Sequence, residues 1–321
     1  MAKIAVELDR ALALREMNGA PGAATARRVA QGEGWTVSDV VCTSGPRDRP
    51  FEERHTDVSI SIVGAGSFQY RSASGRELMT PGSLLLGNAG QAFECAHDHG
   101  TGDRCLSFGY APDAFERLAA DVGVRPGFRV GRVPPVRALS PLVARAFSGV
   151  AGGVAAFDPG RSGFAAAAFG NGRSGFAAAA SWEELSLQLA ARTLRLAAGL
   201  SAPSPDASPA AVSRVARTVR RIEREPGEDL ALGSLAREAG LSPYHFLRTF
   251  QSLTGVTPYQ YVVRTRLRAA ALRLTAEPAR VIDIALDSGF GDVSNFNRAF
   301  RTEFGVSPRA YRTAALGERP R

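Results

Sequence analysis

The 321-residue chain has one lysine, three cysteines and no apolar run near the roughly 20 residues needed to cross a bilayer. Without such a run there is no helical membrane span. The first fifteen residues mix charges with apolar side chains and lack the continuous apolar core of a secretory signal, so the chain is expected to stay in the cytoplasm. Cys42, Cys95 and Cys105 are sparse and odd in number, which fits a reducing compartment better than a disulfide framework. With Lys3 alone, the basic charge is almost all arginine, a preference that reflects GC-rich coding more than chemistry. That charge is unevenly placed. Of a net +8, nearly all falls in the last third, where 18 Arg face 11 Asp and Glu from Ala211 onward. The asymmetry points to a polyanionic partner, most simply nucleic acid, with a solvated basic surface as the alternative.

The length allows two domains, each with its own core. Ser201 to Pro209 is rich in Pro and Ser with almost nothing to bury, and it reads as a linker over 201–210 between residues 1–200 and 211–316. From about 36 to 110 the chain reads as short strands, at Val58–Val63, Ser67–Arg71, Gly82–Leu86, Ala92–Cys95 and Cys105–Phe108. Turn residues between them predict a small barrel or sandwich. Helical patterns follow at Asp113–Val122 and Leu139–Val150. Residues 161–168 and 173–180 repeat Arg-Ser-Gly-Phe-Ala-Ala-Ala-Ala, a tandem duplication of the kind a tolerant surface accepts. Ser181 with Glu184 reads as a capping box. It opens a helix with a stripe of Leu185, Leu189 and Leu196, flanked by Leu187 and Leu194, that either caps the barrel or pairs with its twin in a dimer.

A second repeat, at a spacing of 50, carries the function. Phe246, Arg248, Phe250, Gly255, Pro258 and Tyr261 recur as Phe296, Arg298, Phe300, Gly305, Pro308 and Tyr311. Upstream, Ala236 and Gly240 recur as Ala285 and Gly289. In each copy a small residue lets a second helix cross closely, and a glycine four residues later takes the turn. Ser242, followed by Pro243, and Asp292 are the expected N-caps. Phe246, Phe250 and Leu253 fall on one face; Phe296, Phe300 and Glu303 take the same positions in the second copy, extended by Val293. The opposite faces carry Tyr244, Arg248 and Gln251, and Ser294, Arg298 and Arg301, all able to bond base edges or phosphates. One such arginine alone would read as a solvated helix residue. Two in register, in the basic third of the chain, predict a pair of recognition helices.

Thr257-Pro258 then starts a helix through Leu274 with a buried stripe of Leu267, Ala270, Ala271 and Leu274. Arg264, Arg266, Arg268 and Arg273 are expected to remain available for phosphates. At about 27 Å long, this helix could hold two recognition helices roughly one DNA turn apart.

These residues resemble the AraC/XylS family. Leu235–Ser242 with Phe246–Phe250 is similar to the first half of its DNA-binding domain. Ile284-Ala285, Gly289-Phe290, Phe296–Phe300 and Phe304–Pro308 are similar to its second, and the likeness spans about 211–314. It implies two helix-turn-helix units joined by a long helix and reaching adjacent major-groove segments. Family recognition positions fall on Tyr244, Leu247 and Arg248, and on Ser294, Asn297 and Arg298; Leu247 departs from the polar residue usual there. The N-terminal half resembles, by order of elements, a cupin-like effector domain followed by dimerisation helices. The expected architecture is therefore α+β in two domains: a cupin-like β-barrel with trailing helices, then an all-α double helix-turn-helix domain. The resemblance implies a transcriptional activator or repressor rather than an enzyme. Its expected partners are double-stranded promoter DNA, RNA polymerase, a small-molecule or metal effector and a second copy of the chain, with no membrane.

Cys95, His97, Asp98, His99, Asp103 and Cys105 crowd into eleven residues, with His55 on an earlier strand. His55, Cys95, His97, His99 and Cys105 are the candidate effector residues. Cys and His at short spacing suit zinc, so Cys95, His97, His99 and Cys105 are candidate ligands. Thiols beside His and Arg could instead sense oxidants. Glycines and aspartates suit an ordinary hairpin loop equally well, and the stretch could also line an organic-ligand pocket. No standard zinc spacing and no paired-His cupin motif is present. An enzymatic barrel using His55, His97 and His99, or an architectural DNA-binding protein without ligand, would be the competing classes.

Overall fold

The structure, a computed structural model, describes residues 3–152, 173–200 and 207–317. Helix α1 (Lys3–Asn18) precedes β1 (Ala24–Gly32), β2 (Trp35–Cys42), β3 (Phe51–Arg54), β4 (Val58–Gly66), β5 (Phe68–Ser72), β6 (Gly75–Met79), β7 (Leu84–Gly87), β8 (Ala92–Ala96) and β9 (Asp103–Tyr110). Next come α2 (Pro112–Val122), the short β10 (Arg132–Val133), α3 (Ser140–Gly152) and α4 (Arg173–Ala198). The C-terminal part comprises α5 (Pro209–Arg224), α6 (Leu232–Glu238), α7 (Pro243–Thr254), α8 (Pro258–Ala276), α9 (Val281–Asp287), α10 (Val293–Phe304) and α11 (Pro308–Gly317).

All strand pairs are antiparallel, in a six-stranded sheet ordered β1-β2-β9-β4-β7-β10 and a four-stranded sheet ordered β3-β8-β5-β6. Side chains alternate across a strand, so the larger sheet feeds two cores. One face sends Trp35, Val37, Ile60, Ile62, Leu106 and Phe108 against α2, α3 and α4. The other sends Val63, Leu85 and Cys105 between the sheets, to meet Phe68, Tyr70, Met79 and Cys95. The sheet order extends beyond the expected strands: β1 precedes them, and α1 lies against the barrel with Leu8 buried.

The leucine stripe of α4 closes the barrel. Leu185, Leu189 and Leu194 are buried in its helix-side core, Leu196 is packed against it, and Leu187 is left exposed. Ser181 lies inside α4 rather than at its start, and Glu184 pairs with Arg145 at 3.3 Å instead of capping. The first copy of the Ala-rich repeat, 161–168, and residues 201–206 of the Pro/Ser segment lie outside the described residues.

The C-terminal helices form two small cores on one shared helix. Tyr261 and Val262 of α8 join the first, with Phe246 and Phe250; Leu267, Ala270, Ala271 and Leu274 join the second, with Phe296 and Phe300. Leu78 of β6 enters the first core and Ala144 of α3 enters the second, so the barrel docks directly on the helical part.

Candidate nucleic-acid interface

In the first unit Gly240, two residues beyond the end of α6, makes the turn at φ +65°. Ser242 Oγ then accepts the His245 N–H at 3.4 Å and Pro243 opens α7. In the second, Gly289 turns at φ +87° and Asp292 accepts the Asn295 N–H at 2.7 Å to start α10. Both caps satisfy first-turn N–H groups that would otherwise lack partners. With Phe246, Phe250, Phe296 and Phe300 fully buried, the period of the helix leaves the opposite faces outward. Tyr244, Arg248 and Gln251 are exposed on α7, with the Arg248 guanidinium 5.9 Å from the Tyr244 ring centre. Ser294, Asn297, Arg298 and Arg301 are exposed on α10, where Arg298 donates to Asn295 at 3.2 Å. Leu247 is half-buried, in keeping with an apolar residue at that position.

The long helix corrects one expectation. Its arginines are tied down inside the protein rather than held out for phosphates. Arg264 pairs with Glu303 at 3.3 Å and Arg268 with Glu223 at 3.0 Å. Arg273 reaches both Glu277 and Asp287. Arg266 donates to three carbonyl oxygens, of Pro226 (2.6 Å), Gly289 (2.7 Å) and Glu228 (2.9 Å), and so ties the first unit to the turn of the second. Basic groups are instead gathered beside α10, where Arg280 and Arg309 join Asn297, Arg298 and Arg301 around one cleft. Arg309 went unread in the sequence, although it follows the repeated Pro308.

The candidate effector residues do not form one site. His55 lies towards the β4 start, where its ring stacks on Phe93 with centroids 4.2 Å apart. Its Nε2 lies 3.0 Å from the Tyr70 hydroxyl, which itself donates to the Leu86 carbonyl, and Nδ1 lies 3.0 Å from Ser59 Oγ. Burial lowers its pKa from 6.5 to about 4 and keeps the imidazole neutral. At the opposite end of the strands, His97 Nε2 donates to Asp103 Oδ1 at 2.6 Å, and the Cys105 thiol donates to Asp103 Oδ2 at 3.3 Å. Burial alone would lower the His97 pKa, but hydrogen bonds to Asp103 and Cys42 together raise it to about 9. Burial pushes the Cys95 and Cys105 thiols well up. His99, with Nε2 buried and unpartnered, and both Cys95 and Cys105 stand outside the three-donor group that the structure assembles, which is Cys42, His97 and Asp103. The expected four-ligand set of Cys95, His97, His99 and Cys105 is therefore not brought together. Cys42 enters because β2 pairs with β9 in a register that sets it directly opposite Asp103.

Fold and surface together define a two-domain protein with a double helix-turn-helix. Residues 42–167 match the profile of the AraC-like ligand binding domain, and residues 235–314 that of a helix-turn-helix domain. The chain belongs to the AraC family of transcriptional regulators. Over 97 residues it is 35% identical to the transposon Tn10 TetD protein of Escherichia coli, covering 30% of this chain and 70% of that one. Over 129 residues it is 36% identical to the HTH-type transcriptional regulator Rv1931c of Mycobacterium tuberculosis, covering 37% of this chain and 49% of that one. Among solved structures, the DNA-binding domain of AdpA in complex with a target DNA is 31% identical, covers 34% of this chain and 97% of that one, and has a TM-score of 0.33. The chain spans between a third and a half of the first curated relatives it matches. No helix among the described residues is long and apolar enough to cross a membrane.

Proposed function

We propose that this chain is a sequence-specific, effector-controlled regulator of transcription that acts in the cytoplasm on promoter DNA. The observation that carries the proposal is the repeated surface: two capped helices, α7 and α10, with buried phenylalanine backs and exposed fronts of Tyr244, Arg248 and Gln251, and of Ser294, Asn297, Arg298 and Arg301. Such fronts fit a major groove, where arginine reads guanine with two hydrogen bonds. The barrel is the sensing part, working with a second copy of the chain and with RNA polymerase as partners. Because the α4 stripe is covered by the barrel, the dimer contact lies on another surface.

The test is selection of bound duplexes from a random pool by the full chain, followed by titration of the recovered sequence. A defined recovered sequence is expected, bound with an affinity that falls steeply with salt. Arg298→Ala is expected to weaken that binding by about 1–3 kcal/mol and to relax the preference at one position. Recovery of no common sequence would reject the proposal; equal losses on every duplex would make Arg298 a phosphate contact.

A further inference from the structure

The three cysteines of the chain are all buried, and all belong to the end of the barrel where β2, β8 and β9 meet. Cys42 faces Asp103 across the β2–β9 pairing, and Cys105, two residues on, shares the Asp103 face of the strand. His97 comes from just beyond β8 in the facing sheet, its ring stacked 5.7 Å from Phe68. One donor atom from each of Cys42, His97 and Asp103 lies within 4.8 Å of the other two, and all three residues are buried. Cys105 lies beside this group and donates its thiol to the second Asp103 oxygen at 3.3 Å. Above them, a side chain at Gly102 would meet Leu8 of α1 at 2.8 Å and the Cys42 carbonyl at 2.9 Å, so α1 closes this end over the cluster.

We propose that Cys42, His97 and Asp103 form a three-donor binding site for one divalent transition-metal ion of zinc-like softness, leaving the fourth position to water. Thiolate, imidazole and carboxylate are the donor types that tetrahedral zinc takes, at about 2.0–2.3 Å each. To hold the ion, the 2.6 Å His97–Asp103 hydrogen bond opens and Cys42 closes on the pair. Charge also balances: a Cys42 thiolate and the Asp103 carboxylate offset a divalent cation beside a neutral imidazole. Entry therefore releases the Cys42 thiol proton and the proton shared by His97 and Asp103. The site would join the two sheets at the end covered by α1. It stands whether or not the chain binds DNA.

The test uses the untagged full chain, stripped with chelator and titrated with Co²⁺ as a spectroscopic stand-in for zinc. One ion per chain is expected, with a sulfur-to-cobalt charge-transfer band and the intense visible bands of a four-coordinate ion, both removed by added Zn²⁺. Cys42→Ser should lose the charge-transfer intensity from its sulfur, and His97→Gln should weaken binding at least about tenfold. Cys95→Ser should keep both. Circular dichroism of each variant, compared with the parent, separates loss of a ligand from loss of the fold. No one-to-one complex, or a band that follows Cys95 and ignores Cys42 in folded variants, would overturn the site and leave a hydrogen-bonded cluster.

Discussion

At the scale of single residues, the two copies of the helix-turn-helix look alike in sequence and differ in what surrounds them. Gly240 and Gly289 occupy the same place and both turn at positive φ. A side chain at Gly240 would meet nothing within 4 Å, whereas at Gly289 it would meet the Gly227 Cα at 2.8 Å and the Arg266 guanidinium at 2.9 Å. Gly240→Ala is expected to cost about 1–2 kcal/mol from the left-handed backbone alone. Gly289→Ala should cost roughly 1–3 kcal/mol more, because backbone must move as well. Urea unfolding of the two variants checks the difference, and equal costs would show that the Arg266 bridge yields freely. His55 gives a second prediction. Its folded pKa of about 4 lies below its ordinary 6.5, so protonation opposes folding. The stability it supports is complete above pH 6.5 and is lost as the pH falls towards 4. His55→Phe should flatten that part of the curve of melting temperature against pH; an unchanged slope would assign the loss to other groups. Neither environment was legible in the sequence. A repeat reveals that glycine must turn, while the neighbours that crowd it come from residues dozens of positions away.

At the scale of elements, the helices announced themselves where caps and a buried stripe coincide. Ser242, Asp292 and Thr257 all accept first-turn N–H groups, and Thr257 forms a full capping box with Gln260. The arginines of α8 show where such reading stops. Charge on a helix face marks it as polar, but it cannot reveal that Glu223, Glu303 or the Pro226 carbonyl waits opposite. β1 escaped for a related reason: an exposed edge strand of Ala, Arg, Thr and Gln needs no apolar alternation. Cys42 was counted but not connected to the cluster, since only the β2–β9 register brings it to Asp103. For α4 the prediction is direct. Leu189→Ala removes a fully buried side chain from the barrel core and should cost about 2–5 kcal/mol. Leu187→Glu, at an exposed position, should leave the melting temperature within about a degree. If Leu189→Ala instead lowered only the oligomeric mass, the stripe would belong to an interface between copies.

At the scale of the whole molecule, barrel and helices meet through a small polar contact within an apolar dock. Glu303 sits in the position where the first copy has Leu253, and its carboxylate accepts from Ser140 of α3 while pairing with Arg264. The sequence placed a carboxylate on a core face without a reason for it; the docked barrel is the reason. Ser140→Ala should cost about 1 kcal/mol. Glu303→Leu should cost about 3 kcal/mol, because it strands a largely buried Arg264, and adding Arg264→Met should recover most of that loss. A double-mutant cycle in urea measures the coupling, and additive costs would mean that the pair contributes nothing as a pair. Only one member of the duplicated pair carries this contact, and α8 fixes which of the two comes first. On the proposed reading, the stretch of duplex beneath a single chain therefore has a head and a tail: reversing it end for end would present each helix with the other's letters and place the barrel over the wrong flank.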